Sequence, residues 1–179
     1  MPQFIASLIA AMIITLSGCA AKQLNLTDPS EIAAKIQVQR DTFKQTTMFE
    51  GPNCAPNPRE TIILLRAWKP FNSDDLTYQL YLSDEYTYEI MRGGVGWRFY
   101  ATTHDSEGIA LPTTQISRAV NWCGRYVCSY REIVGATVTR PYLDAHKDQG
   151  ITIKVSGKGG ENIFVVPATY IQAFLTVAH

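Results

Sequence analysis

Hydrophobic and polar residues alternate along much of the chain, which is the pattern of strands whose sheet has one buried face. Runs rich in Val, Ile, Thr, Tyr and Trp are separated by turns that contain Gly, Pro or Asp. The predicted strands span residues 36–43, 61–69, 77–83, 86–91, 97–104, 115–123, 126–138, 151–156 and 163–166. Short strands at such regular spacing predict an antiparallel sandwich or a barrel-like sheet.

Helical signals lie near both ends of this pattern. Asp28 is placed to cap a short helix, with Pro29 at its first position and Glu31 able to reach back. Residues 167–178 carry Tyr170, Ile171, Phe174, Leu175 and Ala178 at helical spacing, so one face of a C-terminal helix should pack on the sheet. Residues 140–147 predict one or two more helical turns. The predicted fold is therefore mainly β, with a short N-terminal helix and a C-terminal helix.

Proline and glycine mark the irregular segments. Residues 50–59 contain three prolines, one glycine and two asparagines, which predict a loop. The glycine cluster at 93–96 lacks the strand-to-helix context and the basic residue of a phosphate-binding loop, and the cluster at 157–160 lies between two predicted strands. Both clusters are interpreted as hairpin turns.

Residues 4–16 form an uncharged apolar run that ends in small residues. A helix that spans a bilayer needs about 20 apolar residues, so this run has the dimensions of a signal peptide instead. The run is followed by Leu16-Ser17-Gly18-Cys19, which resembles the lipobox of bacterial lipoproteins. The resemblance implies that Cys19 becomes the new N-terminus and carries acyl chains. Since each buried CH₂ contributes roughly 0.8 kcal/mol, several chains would anchor the protein permanently.

The residue after the lipobox cysteine bears on location. In the family, an aspartate at that position favours retention in the inner membrane, and here the position holds Ala20. The resemblance therefore implies an outer-membrane protein that faces the periplasm. Scattered segments are also similar to uncharacterised proteobacterial envelope lipoproteins: Arg40-Asp41-Thr42-Phe43, Glu50-Gly51-Pro52, Cys123 with Cys128-Ser129-Tyr130-Arg131-Glu132, and Tyr170-Ile171-Gln172-Ala173-Phe174-Leu175. That second resemblance implies no activity.

Length and composition favour one folded domain. Residues 1–18 are predicted as the signal peptide, 19–27 as a polar tether and 28–179 as a single domain. With 46% hydrophobic residues, a packed core is expected. The chain has 16 basic and 16 acidic residues and no net charge, so nucleic acid is not an expected partner. No cofactor is predicted.

Three cysteines remain in the exported chain once Cys19 is lipidated, and export permits disulfides. Four residues separate Cys123 from Cys128, and a hairpin loop of that length would set the two cysteines opposite each other. A tight loop at Gly124-Arg125 would instead leave Cys128 diagonal to Cys123. The favoured interpretation is a Cys123–Cys128 disulfide, while Cys54 remains open as a free thiol or an alternative partner.

Metal and catalytic sites find little support. A zinc site would join these cysteines to His104 or His146, but its second ligand pair would come from distant single residues, so no metal is expected. Neighbouring strand residues point to opposite faces, so His104-Asp105-Ser106 is interpreted as a solvated turn rather than a triad. No catalytic residue is predicted. An enzyme would require His104 or His146 to meet a carboxylate such as Glu132 or Asp144.

Aromatic residues are dense between positions 78 and 100. Tyr78, Leu80 and Leu82 share one side of their strand, which predicts that most of these aromatics are core residues. Tyr81 and Tyr100 are the two expected to be exposed and able to contact a ligand or partner.

Together these patterns favour a membrane-anchored envelope lipoprotein that is a non-catalytic binding or structural module of the periplasm. Its expected partners are the membrane, through the lipid on Cys19, and another envelope protein. The alternatives are a periplasmic hydrolase with a site built from loops, and a periplasmic inhibitor or immunity protein.

Overall fold

A computed structural model describes residues 24–89, 93 and 96–179. In this part of the chain ten strands form two antiparallel sheets that share one hydrophobic core, accompanied by three helices. The strands are β1 (Gln37–Asp41), β2 (Thr46–Glu50), β3 (Thr61–Pro70), β4 (Thr77–Glu89), β5 (Tyr100–Asp105), β6 (Ala110–Leu111), β7 (Thr113–Cys123), β8 (Val127–Val138), β9 (Ile151–Gly157) and β10 (Gly160–Val166). The helices are α1 (Pro29–Ala33), α2 (Arg140–His146) and α3 (Ala168–Val177). The predicted mainly β, sandwich-like class with an N-terminal and a C-terminal helix is confirmed.

The large sheet has the order β1-β2-β3-β4-β8-β7, and the small sheet has the order β10-β9-β5-β6. The inner face of the large sheet carries Leu65, Leu80 and Val134, which are buried in the same core as Ile153 and Phe164 of the small sheet. Strict alternation along β3, β4 and β8 leaves a second, outer face on the large sheet.

Local signals set the helix ends as expected. The Asp28 side chain accepts hydrogen bonds from the backbone N–H groups of Ser30 and Glu31, and Pro29 stands at the first helical position of α1. Helix α3 buries Tyr170, Ile171 and Phe174. The predicted capping role of Asp28 and the buried face of the C-terminal helix are confirmed.

Tyr170 ties α3 to the large sheet. Its hydroxyl donates to the Pro52 carbonyl at 2.8 Å and accepts from the Leu65 N–H at 3.2 Å. Gly51 faces this hydroxyl, and a Cβ at position 51 would lie 2.1 Å from it, so a larger residue there would displace the ring.

Several strands differ from their predicted extents. The structure has β2 and the two-residue β6, which the sequence pattern did not predict. Strand β4 is continuous where two strands were predicted with a break at Asp84 and Glu85, because Asp84 is buried within it. Residues 97–99, predicted as strand, cross between the sheets, and Phe99 has a positive φ of 57°.

The predicted signal peptide and Cys19 lie outside the described residues. The predicted tether ends earlier than expected, because Leu24 and Leu26 pack against the core and the Leu26 carbonyl accepts a hydrogen bond from Thr169. The mainly polar composition of residues 19–27 had predicted a tether and gave no weight to these two leucines. None of the helices in the described ranges is long and apolar enough to cross a membrane.

The cysteines follow the favoured interpretation. Cys123 and Cys128 form a disulfide and are directly paired at the end of the β7–β8 hairpin. Cys54 is a free, buried thiol whose pKa burial raises to about 12. Of the two glycine clusters, 157–160 forms the predicted β9–β10 hairpin turn, while residues 94 and 95 of the other lie outside the described part.

Candidate functional site

The inner face of the large sheet changes from apolar to charged at one end. There β4 continues beyond Leu82 to Asp84, and β8 carries the adjacent Glu132. Residues 96–99, which we call the crossing segment, lie over these two carboxylates. Trp97 meets Tyr130 of β8 edge-on, with ring centroids 4.7 Å apart.

Glu132 is 1% exposed and is the centre of this region. Its Oε1 accepts from the Tyr86 hydroxyl at 2.5 Å and from the Phe99 N–H at 2.9 Å. Its Oε2 accepts from the Tyr100 N–H at 3.1 Å and from Arg118 Nε at 3.0 Å. The carboxylate therefore fixes the crossing segment to β8 and β7.

Asp84 has a similar set of partners. Its Oδ2 accepts from Arg98 Nη1 and from the Tyr100 hydroxyl, both at 2.6 Å, and its Oδ1 accepts from Asn162 at 3.1 Å. Burial, and then the bond to Asp84, raise the pKa of Tyr100. Tyr100 is 1% exposed, so its predicted role as a surface aromatic is wrong: its hydroxyl is satisfied inside the protein.

Both buried carboxylates are thus occupied by donors and each is paired with an arginine. A buried carboxylate so engaged holds its neighbours in place. We call Asp84 and Glu132 the carboxylate clamp, since their bonds join both sheets and the crossing segment.

A groove of about 550 Å³ opens beside the clamp, where β4 continues past Thr61, the first residue of β3. It is lined by Glu60, Thr61, Asp84, Glu85, Tyr86, Thr87, Arg98, Trp122, Ser129 and Asn162. Ser129 donates to Glu85 Oε1 at 2.7 Å and Arg131 donates to Glu85 Oε2 at 2.6 Å. Hydrogen bonds from Arg131, Ser129 and Asn121 lower the pKa of Glu85 to about 2. Trp122 is half-exposed at this groove.

The outer face of the large sheet contains a second cluster. The Arg66 guanidinium lies over the rings of Trp68 and Tyr81, at 4.9 and 4.6 Å from their centroids. Its Nη2 and Nε donate to Gln79 Oε1 at 2.6 and 2.9 Å. Burial lowers the pKa of Arg66, which shows that this cation is partly withdrawn from water. We call these four residues the Arg66 cluster.

Apolar residues surround the Arg66 cluster. Leu64 is paired with Tyr81, and Met48 with Trp68. Leu64 is buried, yet it is not part of the core that the two sheets share. The outer face here therefore combines apolar and aromatic side chains with an arginine at their centre, and Glu50 of β2 is paired with that arginine across the sheet. Tyr81, predicted as a binding residue, is half-buried on it.

His146 is buried and packs against Tyr142. His146 Nδ1 lies 2.8 Å from the Tyr142 carbonyl, and its ring is tilted against the Tyr142 ring. The interpretation of Asp105 as part of a solvated turn is wrong: Asp105 is buried, accepts from the N–H groups of Glu107 and Ile109, and also from the Tyr142 hydroxyl. Its side chain closes the β5–β6 turn.

The hydrolase arrangement of His104 or His146 with Glu132 or Asp144 is not brought together by these contacts. Glu132 is held by Tyr86, Arg118 and two backbone N–H groups, and Asp144 pairs with Arg140 at 3.0 Å. His104 lies in β5, paired with Lys154 of β9, and His146 is 4.0 Å from Glu107. The zinc alternative loses two of its sulfur ligands to the disulfide.

The sequence pattern pointed to Tyr81 as a binding residue. It gave no indication of Arg66, Trp68, Trp122 or the carboxylate clamp. Alternation within residues 61–69 does place Arg66 and Trp68 on one side of their strand, so their shared side could be predicted from the sequence. The pairing of β3 with β4, which brings Arg66 opposite Gln79 and next to Tyr81, could not be predicted in the same way.

Comparison with known proteins finds no matching family model, no matching curated protein and no matching solved structure.

Proposed function

We propose that this protein is a membrane-anchored lipoprotein of the bacterial envelope that binds another envelope protein through the outer face of its large sheet. The observation that carries the binding role is the Arg66 cluster, in which the guanidinium lies over the rings of Trp68 and Tyr81 on the outer face of the sheet. Trp, Tyr and Arg are the residues that most often dominate the energy of protein interfaces.

The anchor rests on the sequence. Residues 4–19 have the apolar run and the lipobox of exported lipoproteins. Only residues 19–23 would separate the lipid from Leu24, which packs against the core. Five residues extend at most about 18 Å, so the domain would be held close to the bilayer surface.

The charge of Arg66 indicates the chemistry of the partner. Its hydrogen bonds go to the neutral amide of Gln79. The carboxylate of Glu50, which is paired with Arg66 across β2 and β3, attracts the cation, but in the described ranges no carboxylate lies within ion-pair distance of the guanidinium. A partner that places an Asp or Glu side chain against Arg66, surrounded by apolar side chains, would complete this half-buried cation. The proposed partner therefore presents an acidic residue within an apolar patch.

A photoreactive residue at position 81 tests this surface in intact cells. We expect one defined envelope protein to become crosslinked from position 81. The matched control is position 152, since Thr152 is exposed on β9 of the small sheet, and no crosslink to that protein is expected there.

Charge reversal then tests the partner's chemistry. Arg66→Glu should abolish the crosslink from position 81, while Lys154→Glu, an equal reversal on β9, should leave it unchanged. Equal crosslinking from positions 81 and 152, or a crosslink that survives Arg66→Glu, would exclude the outer face as the binding surface.

A further inference from the structure

The groove beside the carboxylate clamp has features that the proposed protein interface does not use. It lies along the edge of β4 that extends past β3. Asp84, Arg98 and Asn162 line it on the inner side of the large sheet, and residues 85, 87 and 129 line it on the outer side. Its volume of about 550 Å³ falls within the range of small-molecule sites, roughly 300 to 1,000 Å³.

The charges of the groove are largely neutralised within the protein. Asp84 is paired with Arg98 at 2.6 Å, and Glu85 is paired with Arg131 at 2.6 Å. Glu60 stands exposed at the groove, with its Oε2 accepting from Asn57. A highly charged ligand would therefore find little uncompensated charge, whereas a neutral ligand would keep these ion pairs intact.

The groove nevertheless offers many hydrogen-bonding groups. The hydroxyl groups of Thr61 and Thr87 and the amide of Asn162 line it together with Arg98. The side-chain hydrogen bonds of Arg98 to described residues all use Nη1, so its Nε and Nη2 are not engaged in that part of the chain. The lining thus suits a ligand that carries several hydroxyl or amide groups.

Trp122 adds a flat apolar surface to this polar lining. It is 50% exposed, and it is paired with Ser129 across the edge of the sheet. Its place on edge strand β7 leaves the indole accessible from the groove. An indole in such a position stacks on the apolar face of a ring while the polar groups bind the ring's substituents.

We propose that the groove binds a neutral sugar, with a pyranose ring stacked on Trp122 and its hydroxyl or acetamido groups hydrogen-bonded to Thr87, Asn162 and Arg98. The groove has charges that are largely paired within the protein, many hydrogen-bonding groups and one flat apolar surface. A pyranose is neutral, carries several polar substituents and has an apolar ring face, so it complements all three properties. The sugar has two possible sources, a free saccharide in the periplasm or the glycan strands of the cell wall. Thr87 lies on the same side of β4 as Tyr81 but closer to the end of that strand, so this binding role is separate from that of the Arg66 cluster.

The test uses the acylated protein as purified from membranes, extracted in a polyoxyethylene detergent because a sugar-headed detergent would compete. Saturation-transfer NMR with N,N′-diacetylchitobiose and with maltose, each at about 10 mM, detects weak binding of a free saccharide. Cosedimentation with purified cell-wall sacculi detects binding to the polymer. Signal with a disaccharide supports the free form, and retention on sacculi alone supports the polymeric form.

Substitutions assign any binding to the groove. Trp122→Ala should weaken binding by roughly three- to tenfold, and Trp122→Phe should retain most of it because a flat ring remains. Phe43→Ala, at an exposed aromatic residue between β1 and β2, is the matched control and should bind like the unmodified protein. Thr87→Val, which removes one hydroxyl at nearly constant volume, should also weaken binding and decides the matter if Trp122→Ala does not fold.

Two results would overturn the proposal. One is the absence of both disaccharide signal and sacculus retention in the unmodified protein. The other is unchanged binding in folded Trp122→Ala or in Thr87→Val. Crosslinking from position 81 should be unaffected by Trp122→Ala, so failure of the sugar site and failure of the protein interface are distinguishable.

Discussion

Oε2 of Glu132 lies 3.0 Å from Nε of Arg118, and this ion pair joins β8 to the edge strand β7 beneath the crossing segment. Arg118 also lies over the Phe99 ring, 4.8 Å from its centroid. The pair therefore holds the edge of the large sheet and the crossing segment in one arrangement.

Glu132→Gln should be strongly destabilising. The substitution removes the charge that Arg118 requires and leaves one acceptor oxygen where two serve four donors. Breaking one partner of a buried pair costs about 3 to 5 kcal/mol. The free energy of unfolding in urea measures this loss. Glu60→Gln, at an exposed carboxylate, should change stability by less than about 0.5 kcal/mol. If both variants change stability equally, the clamp does not have the role described.

Glu85 should make stability depend on pH in the acid range. Its pKa is lowered from 4.5 to about 2 in the folded protein, so the unfolded state binds a proton first as the pH falls. The stabilisation is present above about pH 4.5 and is lost between that value and about pH 2. Glu85→Gln should cost about 1 to 2 kcal/mol at pH 7, a modest amount because Arg131 is 44% exposed.

Urea unfolding at several pH values measures this effect. The difference between the unmodified protein and Glu85→Gln should shrink steadily below pH 4.5 and vanish near pH 2. A difference that stays constant over this range would show that Glu85 contributes through packing and not through its charge.

The Cys123–Cys128 disulfide should stabilise the hairpin modestly. It closes a loop with a sequence separation of only 5, for which the chain-entropy relation gives about 2 kcal/mol. The double variant Cys123→Ser with Cys128→Ser should therefore unfold at a lower urea concentration but remain folded, as near- and far-ultraviolet circular dichroism would show. Loss of the fold in that variant would mean that the hairpin depends on the disulfide far more than its loop length predicts.

Cys54 should be unreactive in the folded protein. Burial raises the pKa of its thiol to about 12, so little thiolate is present and reagents cannot reach it. In protein whose Cys19 is acylated as proposed, and without reductant, a colorimetric thiol reagent at pH 8 should detect no thiol before unfolding and one thiol in denaturant. Rapid labelling of Cys54 in the folded state would contradict its buried position.

Local signals predicted the fold where the stabilising partners are close in sequence. Asp28 and Pro29 specify the start of α1 because capping involves only the next few residues. The alternation of Tyr78, Leu80 and Leu82 identified the core face of β4 for the same reason. Position-to-position spacing is enough for such features.

Features that depend on distant residues were not predictable. Asp84 looks like part of a turn in the sequence, yet it stays within β4 because Arg98, Tyr100 and Asn162 satisfy its carboxylate. Tyr100 was predicted to be exposed because its buried partner, the Asp84 carboxylate, is distant in the sequence. Arg66 could not be assigned to a cluster before the pairing of β3 with β4 was known.

The envelope role that we propose requires lipid at position 19. Protein purified from bacterial membranes, digested and analysed by mass spectrometry, reports its N-terminal peptide directly. We expect a peptide that begins at Cys19 with the mass of attached acyl chains, and no peptide from residues 1–18. A mature protein whose N-terminal peptide begins at an intact Met1, with Cys19 unmodified, would contradict it.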